Sequence, residues 1–374
     1  MALKNMISHH LDIEGKSPHG LTEKKYLGLM LGAITGDCLG LPFEMLPPAR
    51  KKKIYGVKID HQFLNIPFIG RFGICSDDTE HVWMTATALC KSSGHDLEYF
   101  GHELSKQLKY WLLTCPIGLG RATLLSCLKL LMGWHHSKSG IFSAGNGAAV
   151  RALIIGAFYS DNTDMMLEAV RISTAITHAD PRAFEGALAI AVAAGLAMHA
   201  EFDNVALTNH FFDSLFPLLE GEELRRFLDI AREQLSLNSS LTDYLKCLSI
   251  GERGISGYIN HTVAAVIYAW LRYYGDYRET VSQIISAGGD TDTTAALAGA
   301  LSGLTVGQAG LPKEWLDGAC GWPLTFKNLC QMSHALTAHE TVSPPSPFGG
   351  LFFIRNMLSI PIFGFHIFRR LIRV

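Results

Sequence analysis

The chain has 374 residues, 48% of them apolar and 18% charged, with 32 Lys and Arg against 34 Asp and Glu. That length and composition can bury a large core, as one large domain or two ordinary ones, and exclude a disordered body. A net charge of −2 leaves no electrostatic footprint for nucleic acid, and none is expected as a partner.

The first twenty residues, MALKNMISHHLDIEGKSPHG, lack the apolar core of a secretory signal. Eight cysteines are scattered without a CxxC spacing, which argues against a zinc site and against a small disulfide scaffold. A reducing cytoplasm is the expected compartment. Residues 1–23 read as a polar, His-containing arm and residues 24–338 as one domain. Residues 339–374, entered through SPPSPFGG, read as a Pro-marked linker with an apolar, basic tail.

From Lys24 the chain reads as helices joined by loops. YLGLMLGAITGDCLGLPFE carries Gly28, Gly32, Gly36 and Gly40 at four-residue intervals. Residues four apart share a helix face, so the stripe lets another backbone come very close. Such a stripe in an apolar stretch can also mark paired membrane helices. Asp37 and Glu44 would be costly in lipid, so close packing in a soluble core is the better account. DTEHVWMTATALCK and TVAAVIYAWLRYY place apolar residues at helical spacing, and PRAFEGALAIAVAAGLAMHAEF opens on Pro181 and continues in strong helix formers. SAGGDTDTTAALAGALSG repeats the small stripe through Ala295, Gly299, Gly303 and Gly307. Alternating β-branched residues are rare, and no repeat of roughly 20–50 residues is visible. The expected fold class is all-α, a compact single-domain bundle of crossing helices.

Three acidic positions stand out along these elements. Glu44 follows the first glycine stripe, Ser76, Asp77 and Asp78 lead into DTEHVWM, and Asp290, Asp292 and Thr293 open the second stripe. One Asp, Ser or Thr suffices to cap a helix and favour its dipole. Paired aspartates with a hydroxyl, appearing twice, exceed that need. Four or five carboxylates converging among apolar helices would repel one another and be expensive to desolvate. Hard divalent cations relieve that cost, and oxygen-only ligands select Mg²⁺, Mn²⁺ or Ca²⁺. Two ligand clusters with bridging carboxylates make a two-metal site the expectation. Weaker signals are the helix entry Gly145-Asn146-Gly147, where backbone N–H groups could meet an anion, the similar CPIGLGRATLL, and His178 ahead of an Asp-Pro helix start.

Taken in order, GDCLGLPFE, SDDTE, GLGRATL, GNGAAVR, THADP and GGDTDTTAALAGALSG resemble the ADP-ribosylglycohydrolase family, typified by the dinitrogenase reductase-activating glycohydrolases. The resemblance spans about Tyr26 to Gly310. It implies a compact all-α fold, a binuclear Mg²⁺ or Mn²⁺ centre, and hydrolysis of the N- or O-glycosidic bond joining ADP-ribose to an acceptor. Carried over by position, Ser76, Asp77 and Asp78 bind one metal, Asp292 bridges, and Asp290 and Thr293 complete the second site. Ser76 departs from the commoner threonine but keeps a hydroxyl oxygen. Glu44 is placed beside the scissile ribose, and Gly145, Asn146, Gly147 and His178 around the ADP-ribose. Proton transfer falls to Glu44 or to a metal-bound aspartate, with Asp77 and Asp292 as the candidates.

Arginine is the acceptor this resemblance favours. A two-metal nucleotide phosphohydrolase and a protein that only binds and blocks a partner are the alternatives. The arm suggests contact with an ADP-ribosyltransferase toxin and a role in immunity. LFFIRNMLSIPIFGFHIFRRLIRV, interrupted by Pro361, is expected to fall short of a spanning helix and to dock on the domain, with an interfacial membrane anchor as the alternative.

Overall fold

Pro18–Gly40 forms one uninterrupted helix, and its glycine stripe faces the small-residue stripe of the helix Thr291–Val306. The two backbones come within a distance that only glycine permits. A Cβ added at Gly36 would lie 2.0 Å from the Ala295 carbonyl oxygen, and one at Gly40 would lie 2.2 Å from that of Thr291. The close approach is pinned at its end, where the Thr291 hydroxyl donates to the Gly40 carbonyl at 2.8 Å. Midway, the buried Tyr277 hydroxyl donates to the Gly32 carbonyl at 2.8 Å. Glu44 and Asp290, just beyond the pinned ends, are thereby held at the same end of the bundle. Gly36→Ala forces the two backbones apart and should destabilise the fold by about 1–3 kcal/mol, seen as a lower urea midpoint. An unchanged midpoint would show that the helices are not packed this closely.

The structure is a computed structural model that describes residues 18–56, 64–66, 70–199, 204–319, 321–338 and 350–372. Among these the chain forms seventeen α-helices and one short antiparallel hairpin, in which Leu64 pairs with Phe72 and Ile66 with Gly70. The all-α expectation holds. Most of the arm, residues 1–17, and the linker, residues 339–349, lie outside the described residues. The first helix takes in the rest of the arm from Pro18 onward.

One core runs through the bundle, with Trp83, Trp111, Trp270 and Trp315 fully buried in it. Gly20–Phe43 is long and apolar enough to cross a membrane, yet its most apolar part, from Tyr26 to Phe43, is buried inside the domain.

The tail docks on the domain as expected, through Arg355, Asn356, His366 and Arg370, but its expected shortness is corrected. Gly350–Ile372 is a single helix that runs through Pro361. Proline removes one backbone bond and bends a helix without having to end it. The stretch Gly350–Arg370 is long and apolar enough to span a membrane, although only 22% of it is buried against the domain.

Candidate active site

Glycine turns and exchanged backbone bonds gather four distant loops at one end of the bundle. Met45 N–H donates to the Gly289 carbonyl at 2.7 Å, and Gly289 N–H returns a bond to Leu46 at 2.9 Å. Asp290 N–H donates to the Ile255 carbonyl at 2.7 Å, and Asn146 N–H to the Gly257 carbonyl at 3.1 Å. Gly289 sits at φ +88°, where a Cβ would also meet the Ile255 carbonyl oxygen at 2.1 Å, so the turn demands glycine. The result is a cleft of about 600 Å³.

Glu44, Asp77, Asp78, Gly145, Asn146, Gly147, His178, Asp290, Asp292 and Thr293 all line this cleft. Ser76 does not. It is buried as the N-cap of the helix Asp77–Ser92, where its hydroxyl accepts from Asp78 N–H at 3.2 Å and donates to Asp78 Oδ2 at 3.3 Å. Capping therefore accounts for Ser76 and leaves Asp77 and Asp78 unexplained by it. At the other cluster Asp290 holds the N-cap position without a side-chain capping bond. Its Oδ2 instead accepts from the Asn146 side chain at 2.9 Å, which ties the GNG loop to the acidic pair.

The electrostatics are those of buried carboxylates crowded together. Burial first, then neighbouring Glu80 and Asp37, hold the Asp77 carboxyl well above the usual carboxylate range. Asp78 is raised by burial and then by Asp77 and Asp37, and Asp292 by burial and then by Glu44, Asp290 and Asp78. Glu44 is pushed up to about 7 by burial, with Asp290 adding to it and Arg370 opposing. Asp292 Oδ1 is buried with no hydrogen-bond partner among the described residues. An orphaned carboxylate oxygen beside raised carboxyls, in a donor set made only of oxygen, fits a hard divalent cation.

Two buried groups outside the predicted set organise the site. Asp37, fully buried in the first helix, accepts from Ser76 N–H at 2.9 Å, from Thr79 N–H at 3.3 Å and from the Thr79 hydroxyl at 2.6 Å. It therefore aims the start of the Asp77 helix. Arg151, also fully buried, donates to the Gly147 carbonyl at 3.2 Å and to the Thr177 hydroxyl at 2.6 Å. That hydroxyl also shares a hydrogen bond with His178 Nδ1 at 2.8 Å. Burial and the Arg151 charge lower His178 to about 3, so its ring is neutral, with Nε2 on the edge facing Gly145. Both residues lay inside motifs visible in the sequence, GDCLGLPFE and GNGAAVR, but nothing local distinguishes a buried polar support from a surface one.

A further group of donor atoms, His135 Nε2 and His136 Nε2 at 3.3 Å and 3.0 Å from Glu98 Oε1, shares no residue with the cleft lining.

The sequence model of the ADP-ribosylglycohydrolase family matches residues 18–344. The chain belongs to that family. Its members are glycosidase-type hydrolases, and this ADP-ribosylglycohydrolase is an enzyme of that kind. It is 30% identical over 303 residues to an uncharacterized protein of Archaeoglobus fulgidus, covering 79% of this chain and 92% of the relative. It is 29% identical to the ADP-ribosylhydrolase ARH3 of Homo sapiens, covering 80% of this chain and 90% of that protein. A solved structure described as an ADP-ribosylglycohydrolase-related protein complex shares the fold, with a TM-score of 0.63 and 22% identity over 86% of this chain and 100% of the other.

Proposed function

We propose that this enzyme hydrolyses the bond between ADP-ribose and a modified protein side chain, with arginine as the acceptor, in a site that carries two Mg²⁺ or Mn²⁺ ions. The observation that supports it most is the buried carboxylate cluster with its orphaned Asp292 oxygen. Asp77, Asp78, Asp290, Asp292 and Thr293 would hold the ions, with the Ser76 hydroxyl beside Asp78. Bound there, divalent cations supply charge neutralisation and a water of lowered pKa.

The protein's own groups divide the remaining work. Glu44 titrates near neutrality and lines the cleft, as a general acid or base for a leaving side chain or an attacking water requires. The GNG loop offers uncharged backbone donors for a diphosphate-ribose, with the neutral His178 ring beside it. Arg121 and Arg253 also line the cleft and bring the only positive side chains among its described lining residues apart from the histidines. The choice of arginine as acceptor rests on the likeness of the motif set to arginine-acting members of the family.

Incubation with Mg²⁺ and proteins ADP-ribosylated on arginine or serine, or DNA ADP-ribosylated on a base, tests the reading. The expected product is intact ADP-ribose, released fastest from the arginine conjugate. Release of AMP or inorganic phosphate would favour the phosphohydrolase alternative, and faster release from serine would overturn the acceptor. The suggested toxin partner remains tied to an arm whose first seventeen residues lie outside the described residues.

A further inference from the structure

The C-terminal helix Gly350–Ile372 lies beyond the segment matched by the family and is turned inside out. Most of its polar side chains face the domain, beside a buried Phe352 and the half-buried Ile362 and Phe363. Arg355, Asn356 and Ser359 are buried, Arg355 pairing with Glu80 and the Asn356 amide donating to the Thr114 carbonyl at 2.8 Å. Further along, His366 Nε2 donates to the Pro42 carbonyl at 2.9 Å and Arg370 to the Glu44 carbonyl at 2.6 Å. The opposite face is apolar and open, including Leu351, Ile354, Leu358, Phe365, Phe368 and Ile372. With Phe353, Ile360 and Ile367, which are also exposed, the open apolar arc covers more than half the circumference at about 100° per residue.

Soluble monomers rarely leave so continuous an apolar face uncovered. A coiled-coil partner would need a narrower seam with charged flanks of both signs. Here the flanks are basic only. Arg50 donates to the Arg370 carbonyl at 3.5 Å, which sets the helix Pro48–Tyr55, with its exposed Lys52 and Lys53, beside the basic end carrying Arg369. Neither helix contains an Asp or Glu. The helix cannot leave the domain to span a bilayer without exposing Glu80 and Arg355 unpaired.

We propose that Gly350–Ile372 is an interfacial anchor, which lays its apolar face into an anionic phospholipid surface while Lys52, Lys53 and Arg369 meet the headgroups. Because the inward face of the same helix holds the carbonyls of Pro42 and Glu44, docking brings the mouth of the cleft, where Met45 is 76% exposed, beside the membrane. The surface stands on geometry that is independent of which acceptor the enzyme serves.

Co-sedimentation of the full chain with phosphatidylcholine vesicles, with and without phosphatidylglycerol, tests it. Binding should require phosphatidylglycerol, weaken with salt, and fall by about tenfold or more in Phe365→Asp with Phe368→Asp. Lys52→Glu with Lys53→Glu should weaken binding to anionic vesicles, and both variants should keep the wild-type melting temperature. A wild type that stays in the supernatant with either vesicle would overturn the anchor, as would equal binding to neutral and anionic vesicles. A dimer by light scattering that Phe368→Asp dissolves, without vesicle binding, would assign the face to a second copy instead.

Discussion

Asp77→Asn combined with Asp292→Asn should lower ADP-ribose release by about 10³-fold or more, the equivalent of about 4 kcal/mol, while leaving the helical fold intact. Asparagine keeps the volume of each side chain and removes its charge, so the cation cage is lost without a cavity. The stability of the variant distinguishes this from simple damage. Asp77, Asp78 and Asp292 are held above their ordinary range by burial and by one another. An acid whose folded pKa is raised contributes stability below its unfolded pKa and loses it as pH rises through the folded one. Metal-free wild type should therefore melt lower at about pH 8 than at about pH 5, and the double variant should melt at or above it at the higher pH. Adding Mg²⁺ should reverse the order by raising the wild type alone, by about 2.7 kcal/mol at a hundredfold excess over Kd. Full wild-type activity after exhaustive chelation would remove the metal from the reaction.

The sequence made the acidic half of this site legible because its residues are contiguous. Ser-Asp-Asp before a helix and Asp-Thr-Asp-Thr at the next can be weighed against the single residue that capping needs. The structure divides them as that argument suggests, with Ser76 capping and Asp290 left free to meet Asn146. The glycine stripes were legible for the same reason, since a four-residue period on a helix is a local property. What could not be read was support from afar. Asp37 acts on Ser76 and Thr79 through a contact that spans more than thirty residues, and Arg151 reaches His178 only by way of Thr177. The loop lacing through Gly289 and Ile255 is likewise backbone pairing between segments with no shared pattern. The length of the tail helix was misread because Pro361 was weighed as a break. Its inward face mixes Phe352 with the buried Arg355, Asn356 and Ser359, so the usual rule that apolar residues face the domain does not describe it.

Arg355→Met should destabilise the enzyme by about 3–5 kcal/mol at neutral pH, a larger effect than any other single substitution in the C-terminal helix. Glu80 is fully buried, with one carboxylate oxygen paired to Arg355 and the other accepting from the Trp111 indole. Arg355 is held in turn by Asn356, whose side-chain oxygen accepts from Nε at 3.0 Å and from Nη2 at 2.7 Å. Methionine fills the space of the arginine stem but leaves the Glu80 charge in the core with only the indole to meet it. Burial already raises the Glu80 carboxyl, and the Arg355 charge is the main force opposing that rise. Its removal lifts the folded-state pKa further, so the penalty appears as pH rises through that value and shrinks as pH falls and Glu80 takes up a proton. Chemical denaturation of the variant across pH should show this slope, and Glu80→Gln added to Arg355→Met should recover most of the loss. A small, pH-independent effect would mean that the pair is not formed and that the helix rests on its other contacts. The slope would instead show that a segment outside the family-matched region is bound to the domain through Glu80, three residues from Asp77, and so is built into the base of the active site.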